Sequence, residues 1–335
     1  MRRAAGLLIL LATVQALAAA SARGVPPPSR SLESSAPIRA LSVSEFPGQV
    51  AFVSGCWVRV WLGRATKTLQ LDRTAPCSRA SGIHALSING RTVTWATSDG
   101  TTQTLWMVVS SPVSGRFAMH ARRLVAGKRL LVGEGRGNWV PYAVGNTVSL
   151  AGEDESGRAV LRGSFESPSR PLWLSRTAGG IAVLRADGLV TVVDEQLGEV
   201  RASYAYRPGV VRAAKLYGTR LVVLRDEMLD VYDDQLAARR TFRLPRARSY
   251  GDAFCGHPRC VQAELRLADV YRDLVVYVRG REIHVLRLSD RRDRIVREPA
   301  TGPVEAQIEG DGLTYSAGRR LTFVPMWLVT SSLAR

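Results

Sequence analysis

The sequence predicts an all-β protein: a β-propeller of four-stranded antiparallel blades. Three observations carry this. A turn followed by a short apolar run returns seven times, each run is flanked by further short strands, and no amphipathic helix interrupts the pattern. The runs begin at Val50, Val93, Val148, Ile181, Leu221, Leu274 and Leu313, at intervals of 43, 55, 33, 40, 53 and 39 residues. Four-strand repeats near 40 residues are the sequence mark of a propeller. Seven units predict seven blades, with six or eight also consistent. Two stacked β-sandwiches would alternate strands too, but the same order of strand, Gly turn and apolar strand returns each time.

The clearest unit is Val210–Leu244. Arg212–Leu216 leads through a Tyr-Gly-Thr turn into Leu221–Leu224, an uninterrupted apolar run expected of a strand covered on both faces. A charged tip at Asp226-Glu227, a strand over Met228–Tyr232, a polar turn and a last strand near Arg239–Leu244 complete it. Other units repeat the order, with Asn89-Gly90, Gly145-Asn146, Gly179-Gly180 and Gly310-Asp311-Gly312 as turns. Leu124–Asn138 and Pro245–Glu264 read as insertions. The 33-residue interval leaves the third unit short, its outer strand undefined.

Residues 1–22 read as a signal peptide. Arg2 and Arg3 precede the uncharged apolar stretch Gly6–Leu17, followed by small residues with A-x-A cleavage sites up to Ala20/Ala22. The stretch is too short for a membrane anchor, and the first cysteine, Cys56, is too distant for a lipid anchor. Residues 23–36, rich in Ser, Pro and Arg, read as a flexible leader, and 37–335 as the propeller. No later segment is long and apolar enough to cross a bilayer. The expectation is a secreted, extracytoplasmic monomer at the cell envelope.

The formal charge of +17 falls to +15 without Arg2 and Arg3. Of the basic residues 43 are Arg and 3 are Lys, a skew that base composition of a GC-rich genome would produce. A diffuse positive field attracts anions, but the Arg residues lie among acids without interleaved aromatics, which argues against nucleic acid as a specific partner. Four cysteines in an exported chain suggest two disulfides, with three pairings open. Cys255 and Cys260 would close a small loop, and Cys56 with Cys77 would tie a strand to the loop after it. A metal site at Cys255, His257 and Cys260 lacks further ligands at suitable spacing, and His84, His120, His257 and His284 are dispersed, so no metal is expected.

At Val192–Val200 the chain resembles the quinoprotein-type propeller repeat, A-x-D-x-x-T-G-x-x-x-W. Asp194 and Gly198 match, while Val192, Leu197 and Ala202 hold the Ala, Thr and Trp positions. In the next unit Asp233 matches, and Leu236, Ala237 and Thr241 hold the other positions. The resemblance implies a quinoprotein-like or WD40-like (YVTN-type) propeller lacking most of the family's tryptophan docking between blades. It brings no cofactor, since no cofactor-binding set accompanies it.

In such a fold the innermost strands begin at the mouth of the central channel. Counting back from each apolar run places Arg39, His84, Trp139, Trp173, Arg212, Arg266 and Glu305 there, a basic and aromatic ring suited to an anionic or carbohydrate ligand. They would equally serve as plain strand ends. Hairpin tips of units two to five carry acids (Asp99, Glu153, Asp154, Glu155, Asp187, Asp226, Glu227), and those of six and seven carry Arg279, Arg281, Arg319 and Arg320. Glu153–Glu155 lacks the alternating ligand spacing of a calcium loop. No G-x-S-x-G elbow or triad context occurs, so catalytic residues stay unassigned. The reading is a ligand- or protein-binding module. The alternatives are a carbohydrate hydrolase or lyase, or a divergent quinoprotein oxidoreductase, working at the channel mouth.

Overall fold

The computed structural model describes residues 29–44, 48–62, 68–71, 82–90, 92–99, 101–109, 121–135, 139–154, 158–177, 179–233, 235–245, 265–297 and 304–334. The expected signal peptide, Glu155, Cys77, Cys255 and Cys260 lie outside these residues.

The chain opens with β1 (Arg30–Glu33). Blade 1 is β2 (Ile38–Val43), β3 (Gln49–Ser54), β4 (Trp57–Leu62) and β5 (Thr68–Gln70), and blade 2 is β6 (Gly82–Asn89), β7 (Thr92–Ser98), β8 (Gln103–Val109) and β9 (Arg122–Gly127). Blade 3 is β10 (Leu130–Val132), β11 (Trp139–Val144), β12 (Thr147–Glu153) and β13 (Ala159–Glu166). Blade 4 is β14 (Pro171–Thr177), β15 (Gly180–Arg185), β16 (Leu189–Val193) and β17 (Val200–Ala205). Blade 5 is β18 (Val211–Tyr217), β19 (Arg220–Arg225), β20 (Met228–Tyr232) and β21 (Arg239–Arg243). Blade 6 is β22 (Leu265–Tyr271), β23 (Leu274–Arg279), β24 (Glu282–Arg287) and β25 (Asp293–Arg297). Blade 7 is β26 (Val304–Glu309), β27 (Gly312–Ala317) and β28 (Arg320–Pro325), with β1 as its fourth strand, and helix α1 (Met326–Ala334) follows. Every sheet is antiparallel in sequence order, apart from the contribution of β1.

Burial follows strand position. All six residues of β23 are buried, and Leu221–Leu224 of β19 are fully so, whereas the outer strand β17 exposes four of its six residues. The apolar core is a ring of seven clusters, one at each junction between blades. Ala51 and Val58 of blade 1 pack with Val93 and Trp95 of blade 2, for example, and Ile38 and Phe52 with Leu321 of blade 7. No blade covers its own faces, and each buried Val, Leu or Phe contributes about 1.5–3 kcal/mol only when its neighbour is in place.

The docking expected of the quinoprotein-type tryptophan is done otherwise. Asp194 Oδ1 accepts from the backbone N–H of Gln196 and Gly198 (3.2 and 2.8 Å), and Asp233 Oδ1 from Gln235 and Ala237 (3.2 and 2.9 Å). These turns hold Leu197 and Leu236 in the left-handed region, at φ 65° and 59°. Leu197 packs into the cluster shared by blades 3 and 4, and Leu236 into that of blades 4 and 5.

Three sequence expectations need correction. Residues 30–33, read as flexible leader, pair with β28 from Arg30 opposite Phe323 to Glu33 opposite Arg320. Leu124–Asn138 is not an insertion before the third unit, because it holds the end of β9 and all of β10. The run from Val148 is therefore the third strand of blade 3, where the other runs are second strands, and β13 supplies the missing outer strand. A three-residue β10 left the register one strand late.

Candidate functional site

Each inner strand begins beside the end of the second strand, so the hairpins between second and third strands share a face with the channel mouth. A β-bulge marks three of these beginnings. Register shifts between Ile38 and Ala40, Pro171 and Trp173, and Val211 and Ala213 leave Arg39, Leu172 and Arg212 as extra residues, all exposed.

A cavity of 440 Å³ opens at this mouth. Of the residues that the sequence count put at the mouth, Arg39, Trp173, Arg266 and Glu305 line it; Arg212 does not, although it sits at the matching place on β18. His84 lies on β6 opposite Ala96, between the lining residues Ile83 and Ala85. Trp139 is corrected with blade 3: it opens the second strand, half-buried, with the Arg162 guanidinium 5.6 Å from its ring centre. The acidic tip assigned to blade 3 is likewise the β12–β13 turn, on the opposite face. Its Glu153 is buried and accepts from Thr92 Oγ1 at 2.8 Å.

Both carboxylates in the cavity wall are tied. Arg266 Nη1 donates to Glu305 Oε2 at 2.5 Å, and its Nη2 to the Val304 carbonyl at 2.6 Å. Burial pushes the Glu305 carboxyl above its ordinary range, against the opposing pull of Arg266. Glu134 pairs with Lys215, which also donates to the Ala268 carbonyl and is almost fully buried. Arg39 has no ion-pair or hydrogen-bond partner among the described residues.

Below the mouth lies a second, smaller cavity of 20 Å³, whose polar lining includes Ser42, Glu134, Ser175, Lys215, Asp269 and Gln307. That is room for about one water. Ser87, Ser175, Lys215, Asp269 and Gln307 each stand in the third cross-strand pair before the first hairpin of their blade, with Ser42 at the matching place in blade 1. Sequence reasoning missed this ring; its signal is a polar residue set into an otherwise apolar inner strand.

The ring also staples each blade to the next. Ser42 Oγ accepts from Ile88 N–H (3.1 Å), Ser87 Oγ donates to the Gly135 carbonyl (3.1 Å), and Glu134 exchanges backbone bonds with Leu174 and Arg176 (3.0 and 2.9 Å). Thr177 Oγ1 donates to the Gly218 carbonyl (3.1 Å), and Lys215 reaches Ala268. Asp269 Oδ2 accepts from Ile308 N–H (2.9 Å), and Gln307 Oε1 from Val43 N–H (2.7 Å). Glycine is required at 133, where a Cβ would meet the Leu174 carbonyl oxygen at 2.5 Å.

Around the rim, Asp187 pairs with Arg185 at 2.5 Å. Asp99 caps its own tip by accepting from Thr102 and Thr101 N–H, which hold its carboxyl below the usual range. Glu227 of blade 5 meets buried Arg279 of blade 6 at 3.2 Å, so the acidic and basic arcs are joined where they touch. Cys56 sits in the β3–β4 turn and is not a free thiol. No grouping of metal-ligating side chains occurs among the described residues.

No family model matches the chain, and no curated protein does. Among solved structures 1263 chains resemble it, a breadth that points to architecture and not to activity. One is a chain of the crystal structure of the mitotic checkpoint complex, with a TM-score of 0.59 over 88% of this chain and 93% of that one, at 12% identity. In fold, the chain is a seven-bladed β-propeller.

Proposed function

We propose that this chain is an exported, non-catalytic binding module whose partner sits on the mouth face of the propeller. The observation that carries the reading is the cavity itself: it opens at the mouth face, and its carboxylates are engaged by Arg266 and Lys215. Such carboxylates position a wall; they are not free to shuttle protons. The signal-like residues 1–22 support export, and with it pairing of Cys56 with Cys77 and of Cys255 with Cys260. The Asp194 and Asp233 turns support a quinoprotein-type origin for the repeats. A similarly folded chain within the mitotic checkpoint complex supports a role in assembly, the common use of a ring that offers one broad face.

Two measurements test this. Mass analysis of the protein from its own cells should find it outside the cytoplasm and lacking residues 1–22, and an intact intracellular chain refutes export. The purified protein should turn over none of a panel of sugars, lactones and esters. The raised Glu305 carboxyl favours one rival, an enzyme using it as a general acid. That rival requires turnover which Glu305→Gln abolishes.

A further inference from the structure

Resting on the reading of the mouth as the binding face, we propose that the cavity takes a carboxylate carried on an apolar body. Four charged groups line it, Arg39, Glu134, Arg266 and Glu305, with Lys215 reaching Glu134 from below. Arg266 cancels Glu305 and Lys215 cancels Glu134, which leaves Arg39 as the uncompensated charge. A ligand with one negative charge completes the balance. A dianion would bring a second charge with no partner, and a cation would meet like charge.

Apart from Gln307, whose Oε1 accepts from Val43 N–H, the remaining wall is apolar and includes Ile83, Ala85, Leu131, Leu172 and Trp173. Leu172 is 41% exposed at the bulge, so a hydrocarbon surface on blade 4 faces the same opening as the Arg39 guanidinium of blade 1. The polar side chains that a sugar would need are spent on the staples between blades. At 440 Å³ the space lies within the roughly 300–1,000 Å³ typical of small-molecule sites.

Two further features fit an occupied wall. Ala85 holds a left-handed φ of 48°, a conformation costing about 1–2 kcal/mol for a residue with a side chain and one that gathers at ligand-binding surfaces. The Trp173 indole N–H, buried behind the wall, has no acceptor among the described residues.

A carboxylate on an apolar body occurs in free medium-chain acids and at the C-terminus of a peptide ending in an aliphatic residue. Calorimetry on the full mature protein, with octanoate, octanol and a short Leu-terminated peptide as free acid and as amide, tests the inference. Wild type should bind octanoate about tenfold more tightly than octanol, the worth of one charge-assisted contact. Arg39→Met should erase that preference, and Leu172→Asp should weaken both probes. Tighter binding of the free-acid peptide than of octanoate identifies a chain end as the occupant; the reverse identifies a free acid. Equal binding of octanoate and octanol, both weakened by Leu172→Asp, overturns the anion and leaves the mouth as the binding face. Binding that Leu172→Asp leaves unaltered overturns the mouth reading, and no binding of any probe overturns the ligand class. Arg39 and Leu172 are both exposed, so neither variant threatens folding.

Discussion

Lys215 is one of three lysines in the chain, and its side chain is 2% exposed against 37% for its partner Glu134. The pair is therefore lopsided. Removing the acid strands a buried ammonium, whereas removing the base returns a carboxylate to water. Stranding a buried charge costs about 3–5 kcal/mol, so Glu134→Gln should lower the unfolding free energy by about 3 kcal/mol. Lys215→Met keeps most of the volume and should cost about 1 kcal/mol, the worth of the bond to Ala268. Urea titrations of both variants decide the point, and equal losses would show that Glu134 does not neutralise the lysine. At this scale the sequence was legible only in part. Arg39, Arg266 and Glu305 could be placed at the start of their inner strands because each stands eight to eleven residues before an apolar run, a separation set by hairpin and register. Lys215 and Glu134 were not, because a cation inside a strand and an acid in a hairpin meet only once three blades have closed around the axis.

Among the elements, the strands showed themselves and the helix did not. Apolar runs between glycine turns leave little freedom of interpretation, so second strands were placed correctly in six blades. Blade 3 slipped because three residues of β10 carry too little pattern to register as a strand. Helix α1 offers no acidic first turn and no basic last turn. Its C-terminal carbonyls are met from blade 6 instead, by Arg287 on Thr330 (3.1 Å) and Arg292 on Leu333 (2.8 Å), cations suitably placed for the helix dipole. Val329 and Leu333 are buried in the cluster shared by blades 6 and 7. Leu333→Ala should cost about 2–5 kcal/mol, while Arg292→Ala should cost under about 1 kcal/mol. Thermal unfolding of the two variants tests this ranking, and a near-neutral Leu333→Ala would make the helix an appendage to the ring and not part of its core.

For the whole molecule, the repeat period was enough to predict a propeller, because a unit that cannot shield its own faces has to be copied until the copies meet. How they meet was hidden. Residues 30–33 look like leader by composition, and only their pairing with Leu321 and Phe323 reveals a strand. Removing residues 29–34 should leave β28 as an open edge, lower the melting temperature by roughly 10 °C and bring concentration-dependent association. An unchanged, monomeric melt would show that the three-stranded blade suffices.

That clasp also sets a schedule. Arg30 and Phe323 are separated by almost the whole propeller in sequence yet lie side by side, so a nascent chain has no finished rim to present before β28 is made. Every partial product carries one sticky border until the final blade arrives. Any chaperone serving this chain must therefore hold β1 in waiting until β28 has been made.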